Sequence, residues 1–484
     1  MHKKPELLIP ASNLEVLKVA VIFGADAVYI GGEAFGLRAK AKNFSPADMA
    51  EGIAFAHAHG VKVYVTANIL AHNKDLSEIR KYFQELKIIK PDALIISDPG
   101  VFQIALEECP EIERHISTQA NNTNYGTYLF WHRLGAKRVV SARELSLAEL
   151  KEIRENIPAE MEMETFIHGA MCISYSGRCL LSNYMTNRDA NRGACTHPCR
   201  WKYSIVEEER PGEYFPVFEN ERGTYIFNSK DLCMIEHIPA LIESGIDSFK
   251  VEGRMKTALY VATVARTYRK AIDDYAKGIE VYQAYMPWYL EQIANCTYRQ
   301  FTTGFFFDKP NETTQIYDSN TYLQESVYLG IIENVSGCEI KELLSGREEL
   351  LSGKEELLSG REELLSVREE LLSGREELYS SEEQLAGCKE ELVSGREKLP
   401  SGKLECKEDK IVAWYKIEQR NKFSVGENIE IMKPGGENTS TKVLGILNEE
   451  GEEMESAPHP QQVLYVALDR NAEEYDLLRR IVSK

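Results

Sequence analysis

Short apolar β-type segments alternate with amphipathic helical ones from Glu6 to Glu252. That alternation predicts an α/β chain folded as a (β/α)8, TIM-like barrel. Two further observations complete the class. A long Cys-rich insertion separates the seventh and eighth strands, and a β pattern restarts near residue 327, predicting a small C-terminal all-β domain.

The eight strands are expected at 6–10, 27–31, 62–66, 93–96, 114–117, 138–141, 162–168 and 246–252. Helices are expected between them at 14–23, 45–58 and 76–86, and a longer one at 257–285. An open doubly wound sheet would carry a Gly-rich phosphate loop after its first strand, and Ile9-Pro10-Ala11-Ser12 is not one. These readings divide the chain into a barrel over 1–300 with the insertion at about 169–245, a linker at 301–326, and a β domain built from 327–338 and 411–484.

Between the two halves of that β domain, 339–410 is a low-complexity insertion carrying a seven-residue repeat such as Leu343-Leu344-Ser345-Gly346-Arg347-Glu348-Glu349. Its leucines are adjacent rather than spaced as an a/d seam, and glycine recurs in most units, so a coiled-coil arm is disfavoured. A partly helical tandem expansion without chemistry is the simpler reading.

Net charge is −19 over 484 residues. Residues 339–410 hold 12 Lys/Arg and 20 Asp/Glu, a net −8, which leaves −11 for the rest. A nucleic acid would therefore have to meet a local basic patch rather than the global field. The apolar run Leu7-Leu8-Ile9 is too short for a secretory signal core, and no stretch reaches the roughly 20 apolar residues of a membrane span. The composition predicts a soluble, cytoplasmic protein.

Of ten cysteines, Cys172, Cys179, Cys195, Cys199 and Cys233 fall in the insertion, which leaves a barrel strand at the end where barrel active sites form. Thiolates suit zinc or iron–sulfur clusters. Only Cys195 and Cys199 have the close spacing of a zinc knuckle. Spacing alone leaves a cluster, zinc and ordinary buried thiols all open.

Phe166–Ser182, with its Ser176-Gly177-Arg178-Cys179 core, resembles the signature of the U32 peptidase family. Tyr29-Ile30-Gly31-Gly32, Lys250-Val251-Glu252-Gly253-Arg254 and Arg299-Gln300-Phe301-Thr302-Thr303-Gly304 are similar to further stretches of it. The tail, including Glu418-Gln419-Arg420-Asn421-Lys422-Phe423 and Ala457-Pro458-His459-Pro460-Gln461-Gln462, resembles the tRNA-hydroxylating branch. That resemblance implies formation of 5-hydroxyuridine at the tRNA wobble position, with prephenate as co-substrate and a 4Fe-4S iron-sulfur cluster. It implies Cys172, Cys179 and Cys195 as ligands, with Cys233 as the fourth and Cys199 in reserve. Members without the tail act on ribosomal RNA or in ubiquinone synthesis.

Arg38, Arg143, Lys250 and Arg254 stand at predicted strand ends and could hold a dianion's carboxylates, or pair with acids such as Glu144 and Glu252. Lys250 and Arg254 are the catalytic candidates with His168, a proton mover at the end of strand seven or else a structural histidine. Arg188, Arg192, Arg200 and Lys202 form the best local basic patch for tRNA, with Tyr184, Trp201 and Tyr203 available to stack on bases. A solvated rim is the plain alternative. Two rival functions stay in view, a peptidase and a non-catalytic RNA-binding factor. Against the first, the chain has neither H-E-x-x-H nor G-x-S-x-G.

Overall fold

The computed structural model describes residues 3–33, 35–36, 43–172, 174–201, 205–206, 214–215, 230–296, 298–308, 326–333 and 413–482. Arg38, Lys202, Tyr203, the Arg200 side chain and the heptad repeat lie outside the described residues. The chain forms two units, one reaching to Val327 and a second built mainly from Tyr328–Met432 and Asn438–Arg480.

In the first unit the elements run β1 (Glu6–Pro10), α1 (Leu14–Ile22), β2 (Ala27–Ile30), α2 (Pro46–Ala58), β3 (Lys62–Ala67), α3 (Leu76–Ile89), β4 (Ala93–Ile96) and α4 (Pro99–Glu108). Then come β5 (Glu113–Ile116), α5 (Tyr125–Arg133), β6 (Arg138–Val140), α6 (Leu147–Glu155), β7 (Glu162–Ala170) and α7 (Leu181–Thr186). Two-residue strands β8 (Ile205–Val206) and β9 (Tyr214–Phe215) pair with each other. β10 (Asp231–Cys233), α8 (Ile238–Glu243), β11 (Ser248–Val251), α9 (Ala258–Lys277), α10 (Ile279–Ala284), α11 (Met286–Ala294) and β12 (Phe301–Thr302) follow.

Strands β1 to β7 pair in order, all parallel, and β11 closes the ring by pairing with both β7 and β1. The sequence explains the alternation locally. Asn13, Ser45, Asp98, Asn124, Ser146 and Thr257 each cap the next helix by accepting its third backbone N–H. Pro46 and Pro99 stand just inside two of those helices, where no donor is lost. The expected long helix breaks at Gly278, whose φ of 147° only glycine adopts readily.

The barrel interior has an apolar layer of Leu8, Ala27, Tyr29, Tyr64, Ala93 and Ile95. Beside it runs a buried ionic network. Arg138 contacts Glu162 at 2.6 Å, Glu164 at 3.1 Å and also Glu6, while Glu164 accepts from Lys250 at 2.7 Å. The Tyr64 hydroxyl donates to Glu6 at 2.7 Å.

β7 overshoots the ring. Its last residues pair antiparallel with β10, with Cys233 opposite His168, and β12 adds a further strand on β10. Phe301 and Thr302, expected to begin a linker, therefore belong to the first unit.

The second unit consists of β13 (Ser326–Glu333), β14 (Ala413–Glu418), β15 (Asn428–Met432), β16 (Thr439–Leu447), β17 (Val463–Leu468) and β18 (Leu477–Ile481). They close a six-stranded barrel in the order β13-β14-β17-β16-β15-β18 around Leu329, Ile417, Ile431, Val466 and Leu478. Among the described residues no helix is long and apolar enough to cross a membrane.

Candidate functional site

The strand ends place side chains around a chamber at the barrel's C-terminal mouth, lined by Tyr29, Asn68, Gln119, Phe166, Lys250 and Arg254 among others. Lys250 forms its floor. The buried ammonium sits 2.7 Å from Glu164 and 4.6 Å from the centre of the Tyr29 ring. Burial pushes the Glu164 carboxyl up, but Lys250 and Arg138 more than offset this, and it stays below the usual carboxylate range.

Arg143 reaches in from the β6 end. Its guanidinium lies 4.0 Å from the Phe166 ring centre, donates to the Ala170 carbonyl at 2.8 Å and faces Glu252 at 3.6 Å. Arg254 is 5% exposed and donates to Thr66 Oγ1 at 3.1 Å and Asn43 Oδ1 at 3.0 Å. Room for it comes from Gly31, where a Cβ would lie 2.1 Å from Arg254 Nη2. The pair of acids Glu164 and Glu252 thus faces three cations, so the lining carries an excess positive charge suited to an anion. Asn68 donates from Nδ2 to Ser117 Oγ at 3.1 Å, and its buried Oδ1 has no hydrogen-bond partner among the described residues. It offers an acceptor to a ligand N–H.

The cysteine lobe leaves the same mouth. Cys172 follows the end of β7 and is exposed, as is Cys195, while Cys179 and Cys199 are half-buried. Hydrogen bonds gather the lobe. Asn191 Nδ2 donates to the Cys179 carbonyl at 3.1 Å, and Thr196 N donates to Ser182 Oγ at 3.1 Å. Arg192 ties it to the loop after β3, with Nη1 and Nη2 on Asp75 at 2.7 and 3.0 Å. That contact holds the Asp75 carboxyl down at about 2.

The donor set can be tested against a thiolate-bound cluster. Soft thiols share one lobe, and His197 N donates to Cys195 Sγ at 3.4 Å, the kind of contact that supports a metal-bound thiolate. Among the described residues no three His, Cys, Asp or Glu side chains are already gathered as a metal cage. The residues fit such a group by the chemistry of their thiols, and ligation itself would have to draw them together.

Residues 12–316 match the peptidase family U32, and residues 401–479 match the peptidase family U32 C-terminal domain. The chain belongs to the U32 family. It is 34% identical to tRNA hydroxylation protein P1 of Bacillus subtilis over 99% of this chain and 95% of that one. To tRNA hydroxylation protein P of Escherichia coli it is 40% identical, over 65% of this chain and 77% of the relative. To 23S rRNA 5-hydroxycytidine C2501 synthase of Escherichia coli it is 37% identical, over 55% and 39% respectively.

Within this U32 fold several expected residues meet and others do not. Arg143, Lys250 and Arg254 converge on the chamber. His168 does not line it. The ring is 1% exposed, boxed by Tyr260, Tyr268 and Phe301 at 6.0, 5.5 and 5.8 Å, and burial lowers its pKa to about 4, so it is neutral and structural. Cys233, expected as the fourth ligand, points to the same aromatic layer. Its Sγ lies 3.7 Å from the Tyr268 hydroxyl, and burial pushes its thiol up to about 11. Cys199, held in reserve, lies on the lobe and is half-buried, as Cys233 is. Arg192, expected to meet phosphate, is engaged by Asp75, whereas Arg188 is exposed.

Glu164, Asn68 and Gln119 escaped the sequence reading. Glu164 had a signal, a carboxylate at an inward position of the apolar strand Glu162-Met163-Glu164-Thr165-Phe166. Asn68 and Gln119 had none, since polar residues after strands are ordinary in sequence.

Proposed function

We propose that this chain is a tRNA-modifying hydroxylase that forms 5-hydroxyuridine at the wobble position, with prephenate as donor. The observation that carries the reading is similarity along the whole chain, both units included, to a protein named for tRNA hydroxylation. A cytoplasmic location belongs to the same reading.

The chamber supports it chemically. Arg254 and Arg143 would take the donor's carboxylates, because a guanidinium fork matches a carboxylate in two-point contact. Lys250, held by Glu164, would set the depth to which an anion can descend. Asn68 Oδ1 would accept the uracil N3–H. Cys172, Cys179, Cys195 and Cys199 would hold the cluster, which when bound supplies one-electron chemistry at the rim. Among the described residues a peptidase reading finds no comparable support. The thiols are several rather than one, and His168 is buried and does not line the chamber.

Nucleoside mass spectrometry of tRNA from a deletion strain tests the reaction. We expect wobble 5-hydroxyuridine to vanish and to return with the intact gene. Unchanged modification in a strain without a second such enzyme would sink the reading.

Two substitutions test the donor site. Arg254→Lys keeps the charge but loses the fork, so the prephenate requirement should rise about ten- to a hundredfold, from roughly 1.5–3 kcal/mol of lost charge-assisted hydrogen bonding. Gly31→Ala should act similarly by displacing the guanidinium, and its clash is with the end of a flexible side chain, so the melting temperature should barely move. A normal donor response from both variants would remove Arg254 from the site.

A further inference from the structure

The turn after β5 serves two cavities. Thr118 and Gln119 line the chamber, while Asn121 and Thr123 line a second, open cavity with Ser174, Tyr175 and Arg178. Its volume is about 510 Å³, inside the roughly 300–1,000 Å³ range of ligand clefts. Ser174, Tyr175 and Arg178 lie between Cys172 and Cys179, so the cavity occupies the rim between the chamber and the cysteine lobe.

This rim is built rather than loose. Asn121 holds φ 55°, a left-handed conformation that asparagine tolerates. Its amide donates to the Ser176 carbonyl at 2.8 Å, and its Oδ1 accepts from Arg178 Nε at 2.6 Å. Gly177 has φ 72°, and a Cβ there would come within 2.5 Å of Gln119 Oε1, so the loop packs directly on the chamber wall. Arg178 is thereby anchored through Nε, and its two terminal nitrogens make no hydrogen bond among the described residues. Tyr175 is 48% exposed and makes no ring contact there. An anchored guanidinium beside an open aromatic face, with the Ser174 and Thr123 hydroxyls alongside, is the combination that binds single-stranded nucleic acid: a ring for a base and a fork for its phosphate.

We infer that this cavity is a nucleotide subsite for single-stranded RNA, seating the nucleotide next to the one presented to the chamber, with Tyr175 stacked on its base and Arg178 on its phosphate. The inference rests on the RNA reading above and adds how the strand is gripped. Recognition by stacking requires an unpaired loop, because a base inside a duplex has no free face.

Fluorescence anisotropy on the full chain tests it, with a labelled RNA hairpin carrying an unpaired uridine-containing loop, a fully paired RNA of equal length, and free uridine monophosphate as competitor. Tyr175→Ala should weaken hairpin binding about tenfold, and Tyr175→Phe should leave it unchanged. Arg178→Gln should weaken it and lower the salt slope by about one. Duplex binding should respond to neither Tyr175 variant. Wild-type hairpin affinity in Tyr175→Ala, at unchanged melting temperature, overturns the subsite. So does full displacement of the hairpin by uridine monophosphate at the concentration that saturates the cavity, since the cavity would then be a free-nucleotide site. If Tyr175→Ala does not fold, the Arg178→Gln salt slope decides alone. Tyr175-dependent binding in a protein that leaves tRNA unhydroxylated would support the subsite and count against the reaction; unaltered binding in a Tyr175→Ala protein that still hydroxylates would do the reverse.

Discussion

Cys179→Ala and Cys195→Ala protein is expected to purify without iron, and Cys233→Ala protein with its iron intact. The lobe thiols differ from Cys233 in what surrounds them. Cys179 and Cys195 lie on the segment stitched by Asn191 and Thr196, and Cys195 already receives a backbone N–H. Cys233 is paired across from His168 and turned toward Tyr268, in a layer where a thiolate would be desolvated without a cation beside it. Removing a true ligand leaves an open, oxidisable iron, so loss should be nearly complete rather than graded. Cys172→Ala and Cys199→Ala should behave like the first pair. Iron and acid-labile sulfide per chain, measured under anaerobic purification, give the answer. Iron lost from Cys233→Ala and kept in Cys199→Ala would restore the ligand set that the resemblance suggested.

The second large effect is expected at Arg138→Leu, in the barrel interior, where Arg138 shares Glu164 with Lys250. Arg138 is 3% exposed and meets Glu6, Glu162 and Glu164. Its removal strands buried carboxylates, which typically costs about 3–5 kcal/mol. The sign of the pH dependence identifies the cause. Burial alone would raise the Glu6 carboxyl, yet Arg138 brings it from its ordinary 4.5 to about 2. In the native chain that depression stabilises the fold above the unfolded value of 4.5, and the contribution is lost as pH falls from there towards 2. In the variant Glu6 loses its strongest lowering partner and keeps the hydrogen bond from Tyr64, while Glu164 keeps Lys250, so both carboxyls move up and the stabilisation they give above the unfolded value shrinks. The gap in urea midpoint between the two proteins should therefore be widest near neutrality and narrow on acidification. A gap that stays constant with pH would mean lost packing, not stranded charge.

The sequence carried the barrel well because its strands are locally marked. The segments 7–10 and 93–96 are uniformly apolar and each runs into a helix cap, and the expected strands 6–10 and 93–96 match the observed ones. Ion pairing was less legible. Arg143 has Glu252 near it in space, as the strand-end reading allowed, but Lys250 pairs with Glu164, 86 residues away, and Arg138 with Glu6, 132 away. Such partners are chosen by the layer a side chain occupies inside the ring, which depends on stagger between strands rather than on neighbours in the chain. The pairing of β10 with β7, which sets Cys233 opposite His168, is likewise a contact between residues far apart in the chain.

The root of the cysteine lobe is held by groups other than thiols. β10 is laced to β7 and β12 by backbone hydrogen bonds, and Arg192 grips Asp75 from the other side. Many small metal domains collapse when stripped, because the metal alone closes their core. Here the root of the lobe is tied by backbone pairing and an ion pair that involve no thiol. If the proposed cluster is bound there, a chain that lost its iron to oxygen would keep the root of the lobe in place, so recovery from oxidative stress would call for refilling an existing pool of protein rather than for new synthesis.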